Sequence, residues 1–293
     1  MGSALLELAK LQWVDFAKLQ LLSTATFAGL TWTEAMLTRM RRSIKPPPEL
    51  IADMFYWLLI PTVRVISRLV VLGPLVVAAM MLGRRIDPSL FDGFGPLAAQ
   101  PKALIAIEAV VLTDLSAYWI HRGFHLVPLL WRFHAIHHSA TEIRWSTTGR
   151  VHPINEVVNY IGAVIPCFLI GLPLNVVLGV FPIMVMYAVA AHTQWNPSFG
   201  PLKKIMASPR FHRWHHTLSH EGGNQNFANV FSFWDRVFGT FYLPEGRVAE
   251  KFGLDHHDVP IGYLGQLAYP FRRRAPHANQ AEAVASGEQG LAR

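Results

Sequence analysis

Fourteen histidines stand in a chain of 293 residues, and most of them fall in three short runs. His121 and His125 sit in HRGFH, His134, His137 and His138 in HAIHH, and His212, His215 and His216 in HRWHH. On a helix, residues i and i+4 share a face, and the i, i+3, i+4 pattern sets three side chains around one patch. The spacing therefore predicts helices that each turn several imidazoles toward one point. With His152 and His192 added, the nitrogens exceed what one ion can use. They suit two ions, each with a mostly imidazole shell and an open position for a small ligand. Imidazole serves iron, zinc and copper, so the count leaves the metal open. The only cysteine, Cys167, lies in an apolar run, which excludes an internal disulfide and any multi-thiolate site.

The remaining histidines divide by context. His192 ends a long apolar region and is placed to project into the site, so it is expected to be a ligand. His152, in GRVHPINE, fits either a ligand or a donor that orients one, and Arg150 and Glu156 beside it either pair with each other or orient imidazoles. Asp114, about two turns before His121, reads equally as a packing residue and as an orienter. His220 sits in the turn-like LSHEGGN and is intermediate. His256 and His257, in an acidic loop, and His277 are expected to stand apart from the chemistry.

These runs need elements to position them. Hydrophobic residues make up 52% of the chain against 15% charged, and mean hydropathy is +0.27, the balance of a membrane protein with a polar portion attached. Residues 11–33 form a moderately apolar segment, closed by a basic stretch and Pro46, Pro47 and Pro48. Residues 51–82 fit one tilted span or two pieces divided at Pro61, with Arg64 and Arg68 snorkelling or facing protein. Residues 103–120 form the clearest span and run directly into His121. Residues 157–191, broken by GLPLN, predict a helical hairpin that returns the chain to the side it left. All histidine runs then share one face, which is cytoplasmic if 51–82 crosses once. The fold class is all-α: an integral membrane helical protein with about four embedded segments and a cytoplasmic-side helical, histidine-rich cap.

The net charge of +7 does not point to nucleic acid, because Arg39, Arg41, Arg42, Lys45 and Arg272, Arg273, Arg274 flank apolar regions as headgroup-facing residues do. Before Glu7 there is no basic n-region, and Lys10, Asp15 and Lys18 interrupt the segment after it, which argues against a cleavable signal peptide. Trp119, Phe124, Trp131 and Phe133 flank the first two runs and line either a lateral substrate path or an interfacial belt. A metal transporter would carry its histidines within the spans, whereas these gather after them.

HRGFH, HAIHH and HRWHH, in this order, resemble the three histidine boxes of the fatty acid hydroxylase and sterol desaturase superfamily. The lead-in DLSAYWIHRGFH, with Asp114, Tyr118 and Arg122, matches the same pattern. So do RVHPINE and NFANVFSFWDRVFGTFY, the latter with Asn226, Asn229, Trp234, Asp235, Phe238, Gly239 and Thr240. The resemblance covers roughly residues 103–243. It implies a membrane enzyme with a cytoplasmic-side di-iron centre that uses O2 and supplied electrons to hydroxylate or desaturate a sterol, fatty acyl or other apolar lipid. By this resemblance His121, His125, His134, His137, His138, His212, His215 and His216 are metal ligands, with His192 a further one. His152, Asp114, Tyr118, Arg150, Glu156, Asn226 and Asp235 are either donors or partners of donors. Iron is the expected metal, with zinc able to replace it in purified protein.

Two departures stand out. Ala228 replaces a common glycine, as expected if that turn needs no positive φ. Three residues rather than four separate the first pair of histidines, which favours the sterol-oxidase-like and miscellaneous lipid-oxidising branches. No flavin motif, GxGxxG fingerprint or haem-binding domain is evident, so the expected electron donor is separate: a ferredoxin, or a cytochrome b5-like protein with its reductase. The expected organisation is an N-terminal membrane region (1–102), a catalytic domain (103–243) and an extension (244–293) with a disordered tail from about 275. An Ala/Arg-rich composition without a retention signal favours a bacterial inner membrane over endoplasmic reticulum. Substrate identity and oligomeric state are open from the sequence.

Overall fold

The computed structural model describes residues 49–81, 92–255 and 258–272, with a few isolated positions between 25 and 36. The basic stretch before Pro46, the loop bearing Arg84 and Arg85, the Arg68 side chain, His256, His257, His277 and the expected tail lie outside the described residues. Among the described residues the elements are helical: α1 Leu50–Met81, α2 Lys102–Leu126, α3 Pro128–His138, α4 Pro153–Leu169, α5 Leu174–Ala191, α6 Pro209–His215, α7 Phe233–Val237 and α8 Tyr263–Ala268. The one β-type pairing among them is an isolated bridge between Thr217 and Phe252. The protein is an integral membrane protein. Leu50–Ser67, Lys102–Leu126 and Leu174–Ala191 are long and apolar enough to cross a membrane, and α4 is a shorter apolar helix.

The expected hairpin is α4 and α5, and it turns where GLPLN breaks the apolar run. Gly171 has φ +87° there, and a Cβ on it would stand 2.2 Å from the Phe94 carbonyl oxygen. The Phe94 N–H donates to the Gly171 carbonyl at 3.0 Å, so only a residue without a side chain lets the two loops approach this closely. Below the turn, Ile105, Ala109, Tyr160, Val164, Cys167, Leu172, Leu174, Val177 and Val180 form the main apolar core between α2, α4 and α5.

Residues 51–81 make one continuous helix that carries Pro61 without dividing. Asp53, Trp57 and Arg64 on it are spent on neighbouring elements. Asp53 forms a buried ion pair with Arg150 at 2.6 Å and accepts the Ser146 hydroxyl at 2.7 Å, while Trp57 Nε1 donates to the Ser146 carbonyl at 3.0 Å. Arg64 pairs with Glu156 at 3.1 Å. Arg150 and Glu156 thus each bond to α1, and not to each other as one reading of the sequence has it, because α1 brings opposite charges to both. From the other end of the chain, Tyr263 of α8 packs edge-on against Tyr56 at 4.8 Å, and Tyr269 joins Trp131, Ala135 and Ile136 in a second core.

Candidate metal centre

Three of the helices that carry the histidine runs, or border them, begin on a proline. Val127 alone separates α2 from α3, in an extended conformation, and Pro128 at the first position restarts the helix at once. This corner brings His134 and His138 back beside His121 and His125. Pro209 opens α6 beneath a Ser208 cap, whose hydroxyl accepts the Phe211 N–H at 3.1 Å. His152 caps α4, its Nδ1 accepting the Ile154 N–H at 3.1 Å.

Nine imidazoles converge in two groups. His121, His125, His134, His138 and His215 form one, and His137, His192, His212 and His216 the other; within each group the candidate ligand atoms lie within 4.8 Å of one another. All nine are buried except the partly buried His121. The expectation that each run points at one place is corrected here. In both triplets the i, i+4 pair stays together while the i+3 residue joins the opposite group. Successive helical residues are rotated by about 100°, so adjacent pairs such as His137–His138 and His215–His216 straddle the two groups.

The hydrogen bonds fix which nitrogen faces inward. His121 Nδ1 donates to the Phe227 carbonyl at 2.8 Å, His125 Nδ1 to Asn224 Oδ1 at 3.2 Å, His134 Nδ1 to Asn155 Oδ1 at 2.9 Å and His215 Nδ1 to the Gln225 carbonyl at 2.8 Å. In the second group His192 Nδ1 donates to the Ala188 carbonyl at 2.8 Å. Carbonyl oxygens only accept, so each of these Nδ1 atoms carries the ring's proton and each Nε2 presents a lone pair. In the first group two of those lone pairs, on His121 and His134, face each other. His121 Nε2 and His134 Nε2 are 3.1 Å apart, and the Nε2 atoms of His192, His212 and His216 form a triangle with sides of 3.0, 3.1 and 3.2 Å. His137 Nε2 lies 3.3 Å from that of His192. Two lone pairs at the His121–His134 distance repel, unless a cation lies between them.

The donors also fit one. The Nε2 atoms of His125, His138 and His215 are buried without a hydrogen-bond partner among the described residues. Donors at right angles on one ion, each about 2.1 Å from it, stand about 3.0 Å apart, which is the spacing of the triangle. Burial, followed by neighbouring imidazoles, pushes His137, His138, His212 and His216 well below the ordinary value of 6.5, and His134 and His215 follow for the same causes. His192 is pushed to about 4, burial outweighing the Ala188 carbonyl. The imidazoles are therefore neutral, the form a metal requires. The two groups are consistent with a di-iron site.

The other residues singled out by sequence hold the loop that covers this centre. Asp114 accepts the Val230 and Phe231 N–H groups, both at 2.9 Å, and so acts on the loop and not directly on His121. Asp235 accepts the Phe227 N–H at 2.7 Å, the Ala228 N–H at 2.9 Å and the Thr240 hydroxyl at 2.7 Å; burial pushes it up to about 6 against the pull of these donors. Tyr118 OH shares a hydrogen bond with Thr240 at 2.8 Å, and Arg122 donates to Tyr118 at 3.2 Å. Asn226, at φ +63°, donates to the Phe211 and Tyr242 carbonyls, and its Oδ1 accepts the Tyr242 N–H. The positive φ thus falls on Asn226, and Ala228 needs none.

His152 stands outside both groups. With Nδ1 accepting from Ile154, its Nε2–H donates to the Leu267 carbonyl at 3.3 Å, which ties α8 to the start of α4. His220 is exposed, 3.5 Å from Asp255. Of the four aromatics, Phe124 stacks on His134 and Trp131 tilts against His125, both buried, and Phe133 packs on His152. Trp119 alone is exposed, beneath Arg122. Asn155 and Asn224 were missed by sequence reasoning. Asn155 lies in the RVHPINE segment already marked, and Asn224 adjoins the NFANVF segment.

The fatty acid hydroxylase family profile matches residues 106–240. The matched stretch includes all three histidine runs. Among its relatives, ornithine lipid hydroxylase OlsE of Rhizobium tropici is 34% identical over 174 residues, covering 59% of this chain and 52% of that protein. Alkylglycerol monooxygenase of Homo sapiens is 32% identical over 153 residues, covering 51% and 33%. Delta(7)-sterol 5(6)-desaturase erg3B of Aspergillus fumigatus is 26% identical over 142 residues, covering 48% and 40%. The chain thus spans about half or less of the length of these relatives. No solved structure matches it.

Proposed function

We propose that this chain is an O2-dependent membrane di-iron oxidoreductase that hydroxylates an unactivated C–H bond of an apolar lipid. One iron would be held by His121, His125, His134, His138 and His215 and the other by His137, His192, His212 and His216. The observation that carries the reading is the inward convergence of nine imidazoles, five of them fixed by oxygen acceptors on the far side, at the ends of spanning helices. When bound, the irons supply the activation of O2 that an unactivated C–H bond needs. One O2, two electrons and two protons convert the C–H group to an alcohol and one water.

The protein's own contribution is position and exclusion. Carbonyls of Phe227, Gln225 and Ala188 and the side chains of Asn155 and Asn224 hold the rings. Phe124, Trp131 and Phe227 wall the first group with apolar surface and keep bulk water out. The relatives are named for ornithine lipid, alkylglycerol and sterol substrates, and this supports a lipid that reaches the site from the bilayer. Desaturation is the second reading, favoured by the sterol desaturase among the relatives; removal of two hydrogens with the same electrons yields an alkene and two waters. A ferredoxin or a cytochrome b5-like protein with its reductase supplies the electrons, on the cytoplasmic side of a bacterial inner membrane. Residues 103–243 form the catalytic unit in this proposal.

Two measurements test it. Detergent-purified protein should hold about two irons per chain after anaerobic loading, whereas zinc alone would leave the cage but not the redox chemistry. Lipid extracts of expressing cells, compared with those expressing His137→Ala, should contain an added hydroxyl that the variant lacks; an added double bond would select desaturation, and identical extracts would count against both.

A further inference from the structure

The two histidine groups are not supported alike. In the five-histidine group four rings donate their Nδ1–H to an acceptor, and three of those acceptors lie in one loop: Asn224 Oδ1 for His125, the Gln225 carbonyl for His215 and the Phe227 carbonyl for His121. That loop is fastened from both sides. Asp235 takes the N–H groups of Phe227 and Ala228, Asp114 takes those of Val230 and Phe231, and Asn226 is bonded to Phe211 and Tyr242. In the four-histidine group His192 has a backbone acceptor, while the Nδ1 atoms of His137 and His216 are buried without a partner among the described residues.

This difference has a direct effect on metal binding. An Nδ1–H held by a carbonyl fixes the tautomer, sets the ring plane and raises the basicity of Nε2. A ring without that partner must select its tautomer and orientation as the ion binds. We propose that the loop Asn224–Ala228 is the positioning device of the five-histidine site and makes it the tighter one, so that the two ions load and leave in a fixed order. The inference rests on the two-metal reading above. Asn224 is its adjustable member, because it supplies the one acceptor in the loop that is a side chain.

The test is anaerobic Fe(II) titration of the full chain in detergent, with bound iron measured by elemental analysis and release followed with an Fe(II) chelator. The wild-type chain should show two steps of one ion each, separated at least about tenfold in affinity. Asn224→Ala should weaken the tight step about 10- to 100-fold and leave the looser step within about twofold, so that the steps merge; Asn224→Asp, which keeps an acceptor oxygen, should restore the separation. If Asn224→Ala fails to fold, two ligand variants decide: His212→Gln should retain the tight ion and His125→Gln should lose it. Two steps of equal affinity, an Asn224→Ala that weakens both alike, or loss of the tight ion in His212→Gln would each overturn the inference while leaving two metals in place. A wild-type chain that binds no iron would overturn this inference together with the reading on which it rests.

Discussion

Replacing Asp53 by alanine strands a guanidinium inside the protein. Arg150 is 2% exposed and its ion pair with Asp53 is 2.6 Å long, so the variant leaves a charge that neither water nor another carboxylate meets. Removing one partner of a buried pair costs about 3–5 kcal/mol. The Ser146 hydroxyl loses its acceptor in the same step, which adds about 1 kcal/mol. The sum, about 4–6 kcal/mol, corresponds to a fall in Tm of about 8–24 °C for a chain of this size. Trp57 and Trp145, with ring centroids 5.3 Å apart, flank the pair and supply an intrinsic fluorescence probe of the melt in detergent. The double variant Asp53→Leu/Arg150→Met, which removes both charges, should recover most of the loss, since apolar replacement of a whole buried pair is close to neutral or stabilising. An Asp53→Ala protein that melts within about 2 °C of the parent, or a double variant as unstable as the single, would refute the reasoning.

The site histidines make stability fall with acid. Their values in the folded chain lie well below 6.5, so below that pH the unfolded chain takes up protons that the folded chain refuses. Tm should therefore decline steadily from pH 7 toward pH 5, with up to about 1.4 kcal/mol per pH unit for each histidine, and bound iron should decline with it; a flat profile would count against neutral imidazoles. His137→Ala should lower bound iron and abolish lipid oxidation, and retained turnover would remove His137 from the ligand set. Gly171→Ala, with φ +87° and its new Cβ 2.2 Å from the Phe94 carbonyl oxygen, should destabilise by at least about 2 kcal/mol, read as a lower Tm with unchanged iron per folded chain.

Much of this molecule can be read in its sequence. The histidine runs were legible because helical spacing puts i and i+4 on one face, and the hairpin because GLPLN interrupts an otherwise continuous apolar run. His192 followed from the hairpin, since a chain returning to its starting side must end near the other histidines. How each triplet is divided was not legible: whether His137 joins His134 or His192 depends on where α5 and α6 stand, a tertiary fact. Nor were the carbonyls of Phe227, Gln225 and Ala188, which have no side-chain signature at all. Asp114 illustrates the same limit, for its place two turns before His121 reads equally as packing and as orienting, while its carboxylate is bonded to a loop more than a hundred residues away. Asp53 and Arg150 give no local hint of each other, and His152 reads equally as a ligand and as an orienting donor until its role as a helix cap is seen.

Helix α2 runs without interruption from Lys102 to Leu126, 25 residues, or about 37 Å at 1.5 Å each. A hydrocarbon core is about 30 Å thick, so this one rod both crosses the bilayer and carries His121 and His125 at its far end. α5 likewise delivers His192 directly from its last turn. Neither helix is interrupted between the part that lipid grips and the part that holds an imidazole. A bilayer that is thicker or thinner than the helices prefer changes their tilt, and any such tilt moves three of the nine rings relative to those on α3 and α6. The thickness of the surrounding membrane is thereby a mechanical variable of the centre itself, and lipid acyl length should tune the protein's chemistry even where those lipids are never its substrate.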